Sequence, residues 1–275
     1  MSSRRLPFLI VLAFLASGCD ESAPGTVTPI PEGNNTIIPE VLDGDSLRTS
    51  DGTEYRLIGI NAPDRGECLA DAAASRLEEL VRDGVTFETD RELEDQFGRK
   101  LVYAFTDGTL INEQLVAEGM AVALHSEPNS DATERILATM ERAVGSQVGL
   151  WDPGACGGGE TTTLEIVDIQ ADPRGPDEHH LEEEYVVLEN TGADSVDLTG
   201  WSLRDESTRN RYSFPDGFVL GPGERVTVTA GPGPFGFGSD TPIWNNSGDT
   251  AFLVDPGGRF VTFASTTASA GAAAN

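Results

Sequence analysis

The sequence predicts two domains of different class: a small α+β barrel with helices packed on it, followed by an all-β sandwich. Three observations carry this expectation. The chain has 275 residues, and most domains hold roughly 100–150. Its first half mixes strand-like and helix-like apolar patterns, whereas its second half shows only short β-runs between turn signals. Gly 31 and Pro 16 supply the turns, and a hydrophobic fraction of 38% is too high for a disordered or fibrous chain.

Residues 1–35 precede both patterns. Arg4 and Arg5 lead an apolar run, Leu6 to Ala16, that is too short to span a bilayer and ends in Ser17, Gly18 and Cys19. This is the layout of an export signal over residues 1–18. The string "LASGC" resembles a lipoprotein cleavage box with Cys19 lipidated, although Ala16 stands where the box usually has leucine. Plain secretion with an incidental Cys19 is the alternative. Residues 19–35 then read as a flexible tether. In an exported chain Cys68 and Cys156 are candidates for a disulfide, with two free thiols as the alternative.

From Thr36 to Ile60, apolar β-formers are broken by the turn pairs Asp43-Gly44 and Asp51-Gly52. Leu69, Ala73, Leu77, Leu80 and Val81 fall on one helical face. "VTFET" and "LVYAF" read as two further strands. Ile111, Leu115 and Val116 mark a short helix after the Asp107-Gly108 turn. Ile136, Met140, Ala143 and Val144 mark another, with Asp131 and Glu134 spaced as a capping box. These elements make residues 36–156 one domain, and the Gly/Thr-rich stretch 157–163 a linker. Over residues 164–265 come "LEIVDIQ", "EYVVLEN", "VDLTGWSLRD", "RYSF", "GFVL", "RVTVTA", "TAFLVD" and "RFVTF". That many short strands without a helix pattern read as a sandwich, with Trp201 and Trp244 large enough to anchor its core. Residues 266–275 read as a disordered tail.

The formal charge is −28, which excludes a generic basic clamp for nucleic acid. It is spread evenly: residues 36–156 carry 10 cations against 24 anions, and residues 163–275 carry 6 against 18. Lys100 is the one lysine among 18 cations. An even carboxylate coat with almost no lysine fits a halophilic protein, since concentrated salt screens the self-repulsion. An ordinary acidic exported protein is the alternative.

Polar residues gather where the strand patterns of the first domain end. Asp43 and Asp45 flank Gly44, and Arg56 sits in mid-strand, where a cation needs a partner. Asn61, Pro63 and Asp64 follow "RLIGI", and Asp95 and Arg99 bracket a glycine turn. Oxygen ligands of this kind suit a hard divalent cation such as calcium. Two guanidiniums beside them suit a phosphodiester.

"VLDGDSL", "YRLIGINAPD", "DQFGR", "LINEQLVAEGMA" and "GLW", in that order and spacing, resemble the staphylococcal nuclease (thermonuclease-like) family over about residues 36–152. The resemblance implies an OB-fold, a five-stranded barrel with three helices. It also implies calcium-dependent hydrolysis of DNA and RNA that leaves 3′-phosphate ends. Carried over residue by residue, Asp45 is a calcium carboxylate, Asn61 stands at a second ligand position, and Ala62 offers its backbone carbonyl. Asp43 belongs to the outer shell. Arg56 and Arg99 hold and polarise the phosphate, Asp64 assists the attacking water, and Asp95 supports the turn. Asn61 is neutral where the family has a carboxylate, and Asp64 is one methylene shorter than the family's glutamate. Glu67 is a nearby spare carboxylate. The family's nucleotide-contacting tyrosines are missing, and His125, in the corresponding region, reads as a surface residue.

In the second domain "EEYVVLENTG", "VDLTGWSLRD", "YSFPDGFVLGPGERVTV" and "IWNNSGDTAFLVD" resemble the lamin-tail family, which implies an immunoglobulin-like sandwich and does not imply an enzyme. His179 and His180 are adjacent, so on an extended chain they point apart and do not make a metal pair. Asn34 and Asn245 stand in glycosylation acceptor patterns. The sequence thus leads to a calcium-dependent nuclease acting on nucleic acid outside the cell. It would be anchored on the outer face of the membrane through Cys19, with an unknown partner for the lamin-tail domain. A secreted location, and a non-catalytic surface-binding lipoprotein, are the alternatives.

Overall fold

The computed structural model describes residues 36–157, 162–171, 173, 180–207, 209–245 and 248–267. The first domain runs β1 (Glu40–Val41), β2 (Ser46–Arg48), β3 (Glu54–Leu57), β4 (Ile60–Asn61), α1 (Ala70–Val81), β5 (Thr86–Glu88), β6 (Lys100–Thr106), β7 (Thr109–Leu110), α2 (Ile111–Ala117), β8 (Val122–Ala123) and α3 (Thr133–Ser146). The sheet order is β1-β2-β3-β6-β5, with β7 on β6; β4 pairs separately with β8. Only β3 and β6 run parallel, because α1 and β5 intervene. This is the expected barrel with three helices. The helices form where the spacing places apolar residues on one face: Ala70, Ala73, Leu77 and Val81 are buried on α1, and Ile136, Met140 and Ala143 on α3.

Two local expectations fail. The backbone turns left-handed at Leu69 (φ 62°), so Leu69 precedes α1 and packs on the core from outside the helix. At α3 the residue before the helix is Ala132, and no side chain caps it. Asp131 instead accepts from Arg91 (3.2 Å), and its N–H donates to Asp90 (3.1 Å), so Asp131 is spent on the loop.

The second domain runs β9 (Leu164–Gln170), β10 (Tyr185–Asn190), β11 (Val196–Asp197), β12 (Ser202–Arg204), β13 (Arg211–Ser213), β14 (Val219–Leu220), β15 (Arg225–Thr229), β16 (Gly248–Val254) and β17 (Phe260–Thr267). One sheet is β15-β10-β9 and the other β13-β12-β16-β17, with β11 and β14 paired apart. The named strands here all pair antiparallel, and an isolated bridge between Thr229 and Gly236 is parallel. Trp201 and Trp244 lie in the core between them, as expected.

The two domains share apolar core. Strand β16 is buried at every residue. Side chains alternate across a strand, so Ala251 and Leu253 enter the sandwich core while Phe252 and Val254 enter the barrel core. Pairing between β16 and β17 skips Val261, a bulge that lets Phe260 and Phe263 both face the barrel. There the Trp151 ring meets Phe252, Phe260 and Phe263 at 6.2, 5.6 and 5.8 Å. Cys68 and Cys156 are joined as a disulfide with Cα atoms 5.6 Å apart. The β16–β17 turn presses on it: a Cβ on Gly257 would lie 2.7 Å from the Cys156 carbonyl oxygen. Arg204 and Arg211 reach from the sandwich to Glu67 of the barrel, at 3.6 and 2.9 Å. Among the described residues no helix is long and apolar enough to cross a membrane.

Candidate active site

A cleft of about 420 Å³ opens where β2, β3 and β4 face the loop between β5 and β6. Asp43, Asp45, Arg56, Asn61, Asp64 and Arg99 all line it. The backbone explains the convergence. Ser46 pairs with Arg56 across β2 and β3, which sets Asp45 beside the arginine. Gly44 lets the preceding turn press close: a Cβ there would lie 2.6 Å from that of Ala62 and 2.8 Å from that of Ala73. Asn112 is fully buried and ties the barrel together behind the site, accepting from the Ala104 N–H (3.0 Å) and donating to the Ile58 carbonyl (2.8 Å).

Asp45 is buried and held from several sides. It accepts from the Ser46 hydroxyl (3.0 Å) and the Ala62 N–H (2.7 Å), and Arg56 Nη2 lies 3.0 Å from its Oδ2. Burial pushes its carboxyl above the usual range against the pull of Arg56, and the charge of Asp43 adds to the rise. Arg56 also donates to the Leu57 carbonyl (2.7 Å) and to Asn61 Oδ1 (3.1 Å). The mid-strand cation therefore has its partners. Asp43 is exposed and accepts the Asp45 N–H (3.1 Å). Asp64 is also exposed. The contact Ala62 makes in the site is its N–H on Asp45.

On the other wall Arg99 Nε lies 2.7 Å from Asp95 Oδ2. Asp95 Oδ1 accepts the N–H groups of Phe97 (2.9 Å) and Arg99 (3.0 Å). Burial works against the charge on Asp95, but these bonds outweigh it and hold its carboxyl below the usual range. Asp95 is thus the support for the turn and aims the guanidinium. Phe97 stands 65% exposed at the rim.

Two expectations are corrected. Glu67 is not a spare carboxylate of the cleft: it accepts the Asp64 N–H (3.0 Å) and turns to Arg204 and Arg211. His125 is not a surface residue. Its side chain is 9% exposed, its ring nitrogen Nδ1 pairs with Glu206 Oε1, and its N–H donates to Glu206 Oε2 (2.6 Å). Burial disfavours the imidazolium, yet Glu206, Asp249 and Glu127 outweigh this and raise its pKa.

Glu206 belongs to the second domain, which sequence reasoning kept apart from the site. Its backbone carbonyl accepts from Asn61 Nδ2 (3.1 Å), and Glu206, Ser207 and Arg209 line the cleft with the barrel residues. A signal was present in the string. Three of the six cations of residues 163–275 lie within eight residues, at Arg204, Arg209 and Arg211.

The donor set of the cleft has the chemistry that a calcium ion requires. Asp43, Asp45 and Asn61 offer hard oxygen atoms, and the buried Asp45 carboxylate beside Asp43 is an arrangement that a cation relieves. They fit. Among the described residues no group of three or more His, Cys, Asp and Glu side chains could hold a metal, so amide, backbone and water oxygens would have to complete the shell. Elsewhere, His180 pairs with Glu183 (3.2 Å), and exposed Asn245 donates to Asp249 (3.3 Å). Cys19, Asn34 and His179 lie outside the described residues.

Residues 54–153 match the staphylococcal nuclease homologue family, and residues 158–268 match the lamin tail domain. The chain joins a staphylococcal nuclease-like domain to a lamin tail domain. The chain is 27% identical over 154 residues to a thermonuclease of Staphylococcus intermedius, covering 52% of this chain and 91% of that protein. It is 28% identical over 143 residues to a thermonuclease of Staphylococcus hyicus, covering 48% of this chain and 85% of that one. It is 27% identical over 129 residues to endonuclease YncB of Bacillus subtilis (strain 168), covering 42% and 61%. These relatives support a nuclease function and place the first domain among phosphodiester hydrolases at family level. Asp43 and Asp45 lie upstream of the residues that match the nuclease family, and it is their contacts that tie them to Arg56.

Proposed function

We propose that the protein is a calcium-dependent extracytoplasmic nuclease that cuts phosphodiester bonds of DNA or RNA and leaves 3′-phosphate ends. The observation that carries this is the single cleft in which Asp45, Asn61 and Asp64 meet Arg56 and Arg99. Asp45, Asn61, the Ala62 carbonyl and, through water, Asp43 would hold the ion. When bound, calcium supplies Lewis-acid stabilisation of a phosphate oxygen. Arg56, fixed by Asp45, Asn61 and the Leu57 carbonyl, presents a preorganised guanidinium to the charge that develops at phosphorus. Arg99, aimed by Asp95, clamps the same phosphate from the other wall. Asp64, exposed at the mouth, orients the attacking water and takes its proton. Being one bond shorter than glutamate, it sits back by ~1.5 Å, which lowers the rate. The missing carboxylate at Asn61 weakens the ion's binding.

The disulfide supports an oxidising compartment, and the run ending at Cys19 supports export with a lipid anchor on the outer face of the membrane. The uniform acidity supports work in concentrated salt. Cleavage of single-stranded DNA with calcium, then with EDTA, in low and multimolar salt tests these readings. Equal cleavage with EDTA removes the metal mechanism, and activity confined to low salt removes the halophilic reading. The neutral Asn61, with both ends of its amide engaged by Arg56 and the Glu206 carbonyl, favours a second reading, a binding protein without hydrolysis. No cleavage under any of these conditions would establish that one.

A further inference from the structure

The lamin tail domain does more than pack beside the nuclease-like domain. We propose that it supplies a third arginine to the cleft, Arg209, as a substrate-binding residue for a phosphate of a single-stranded nucleic acid next to the bond that is cut. This rests on the nuclease reading and names the part of the second domain that touches the substrate.

Charge provides the first observation. In an acidic chain most described arginines are neutralised by a carboxylate, including Arg56 by Asp45, Arg99 by Asp95, and Arg204 and Arg211 by Glu67. Among the described arginines, Arg65, Arg82 and Arg209 form no such pair, and Arg209 alone of these lines the cleft. An uncompensated guanidinium beside Arg99 and Arg56 repels them unless an anion lies between.

Rigidity provides the second. Arg209 lies between β12 and β13, and the described residues beside it are pinned. Asp205 is buried and accepts from the Ser207 hydroxyl (2.8 Å) and from Asn210 Nδ2 (2.7 Å), and Ser207 Oγ accepts the Arg209 N–H (3.2 Å). Glu206, next to Asp205, is clamped by His125 and by Asn61. These described residues are thus fixed onto the barrel, and less ordering remains for binding to impose.

Position provides the third. The guanidinium carbon of Arg209 lies 5.9 Å from the centre of the exposed Phe97 ring, and that of Arg99 lies 5.6 Å from it. A strand entering the cleft would meet an apolar ring flanked by two cations. Ring and cation together suit a base and its phosphate, and such a pair is tolerant of sequence. A duplex keeps its bases stacked inside and gains nothing from the ring.

The test uses the full chain with the substitutions Arg209→Ala and Arg209→Lys. Arg82→Ala, which removes the same charge from the exposed end of α1, is the control. With single-stranded DNA and calcium, Arg209→Ala should raise KM roughly tenfold, the loss of one solvent-screened charge-assisted contact, with kcat within about twofold because no group acting in the chemical step is touched. Arg209→Lys should recover part of the loss. Binding of a hydrolysis-resistant phosphorothioate single strand should lose about 0.7 from its logarithmic salt slope, the share of one phosphate contact. Arg82→Ala should change neither quantity. If the parent protein cleaves DNA but Arg209→Ala leaves KM and the salt slope unchanged, or lowers kcat alone, the assignment of Arg209 is overturned and the nuclease reading stands. If the parent protein does not cleave, the nuclease reading falls, and the salt slope still decides whether Arg209 meets phosphate.

Discussion

Replacing Phe252 by alanine should destabilise the nuclease-like domain, although the residue belongs to the lamin tail domain. Phe252 is fully buried, and its ring contacts Trp151 (6.2 Å), Phe260 (5.1 Å, edge-on) and Phe263 (6.3 Å). Removing a buried phenyl ring costs about 3–5 kcal/mol, since the walls of the cavity close only in part. In a chain of this size each kcal/mol moves Tm by about 2–4 °C, so the fall should be roughly 6–20 °C. Calorimetry of the intact chain reads it. If the two domains unfold together, Phe252→Ala lowers one shared transition, and Leu253→Ala, whose side chain enters the sandwich core, lowers the same one. Nuclease activity should then vanish at the lowered Tm in both variants. Two separate transitions, with the one that tracks activity unmoved by Phe252→Ala, would refute the shared core.

Arg56→Ala should lower kcat on single-stranded DNA a hundredfold or more, about the loss of one preorganised donor to developing charge; a smaller effect would mean that the arginine only neutralises Asp45. Cys68→Ser should cost at most about 4–5 kcal/mol, since the bond closes a long loop (separation 88), and denaturant titration of the oxidised and variant chains measures it. Stability should fall as pH rises from about 4 to about 8. Burial and the charge of Glu206 push the Asp249 carboxyl up to about 8. The folded chain therefore keeps a proton there that the unfolded chain releases near the ordinary carboxylate value, and this stability is lost as pH climbs towards 8. The raised His125 acts in the same direction: its contribution is present below its ordinary value and lost above its folded one. Asp249→Asn should remove up to about 1.4 kcal/mol per pH unit of that slope; an unchanged Tm profile would show that Asp249 ionises normally.

Which parts of this were legible in the sequence follows from the range of the forces involved. Helices α1, α2 and α3 declare themselves because local periodicity writes their buried faces. Of the cleft residues, Asp43, Asp45, Asn61, Asp64 and Arg99 were legible because each stands at a strand end or beside a glycine turn, and Arg56 because a cation in mid-strand needs a partner. The shared core was not read, although a clue lay in "TAFLVD". That run is continuously apolar where a half-buried strand should alternate, the mark of a strand covered on both faces. Read within one domain, the string means only a central strand. That the second cover is the other domain is a fact about contacts between Trp151 and Phe252, a hundred residues apart. His125 was misread for the same reason. A lone histidine has no periodic signature, and its partner Glu206 lies 81 positions away.

The acidity of the chain then takes on a different meaning from the one its total suggests. A net charge of −28 opposes a polyanion at long range, but that repulsion fades within about 10 Å at 0.1 M salt and within about 3 Å at 1 M. What remains at contact distance is the local set, and there the pattern reverses. Asp45 and Asp95 each fix an arginine, so two acidic residues of the cleft orient cations towards the substrate. Arg209, with no carboxylate partner among the described residues, adds a cation from the opposite domain. Glu206, the acidic residue that comes with it, is turned inwards and spent on His125. The cleft thus holds cations by means of the acidic residues around it. Salt that silences the outer charges leaves the Asp45–Arg56 and Asp95–Arg99 pairs in place, because they act within the reach of hydrogen bonds.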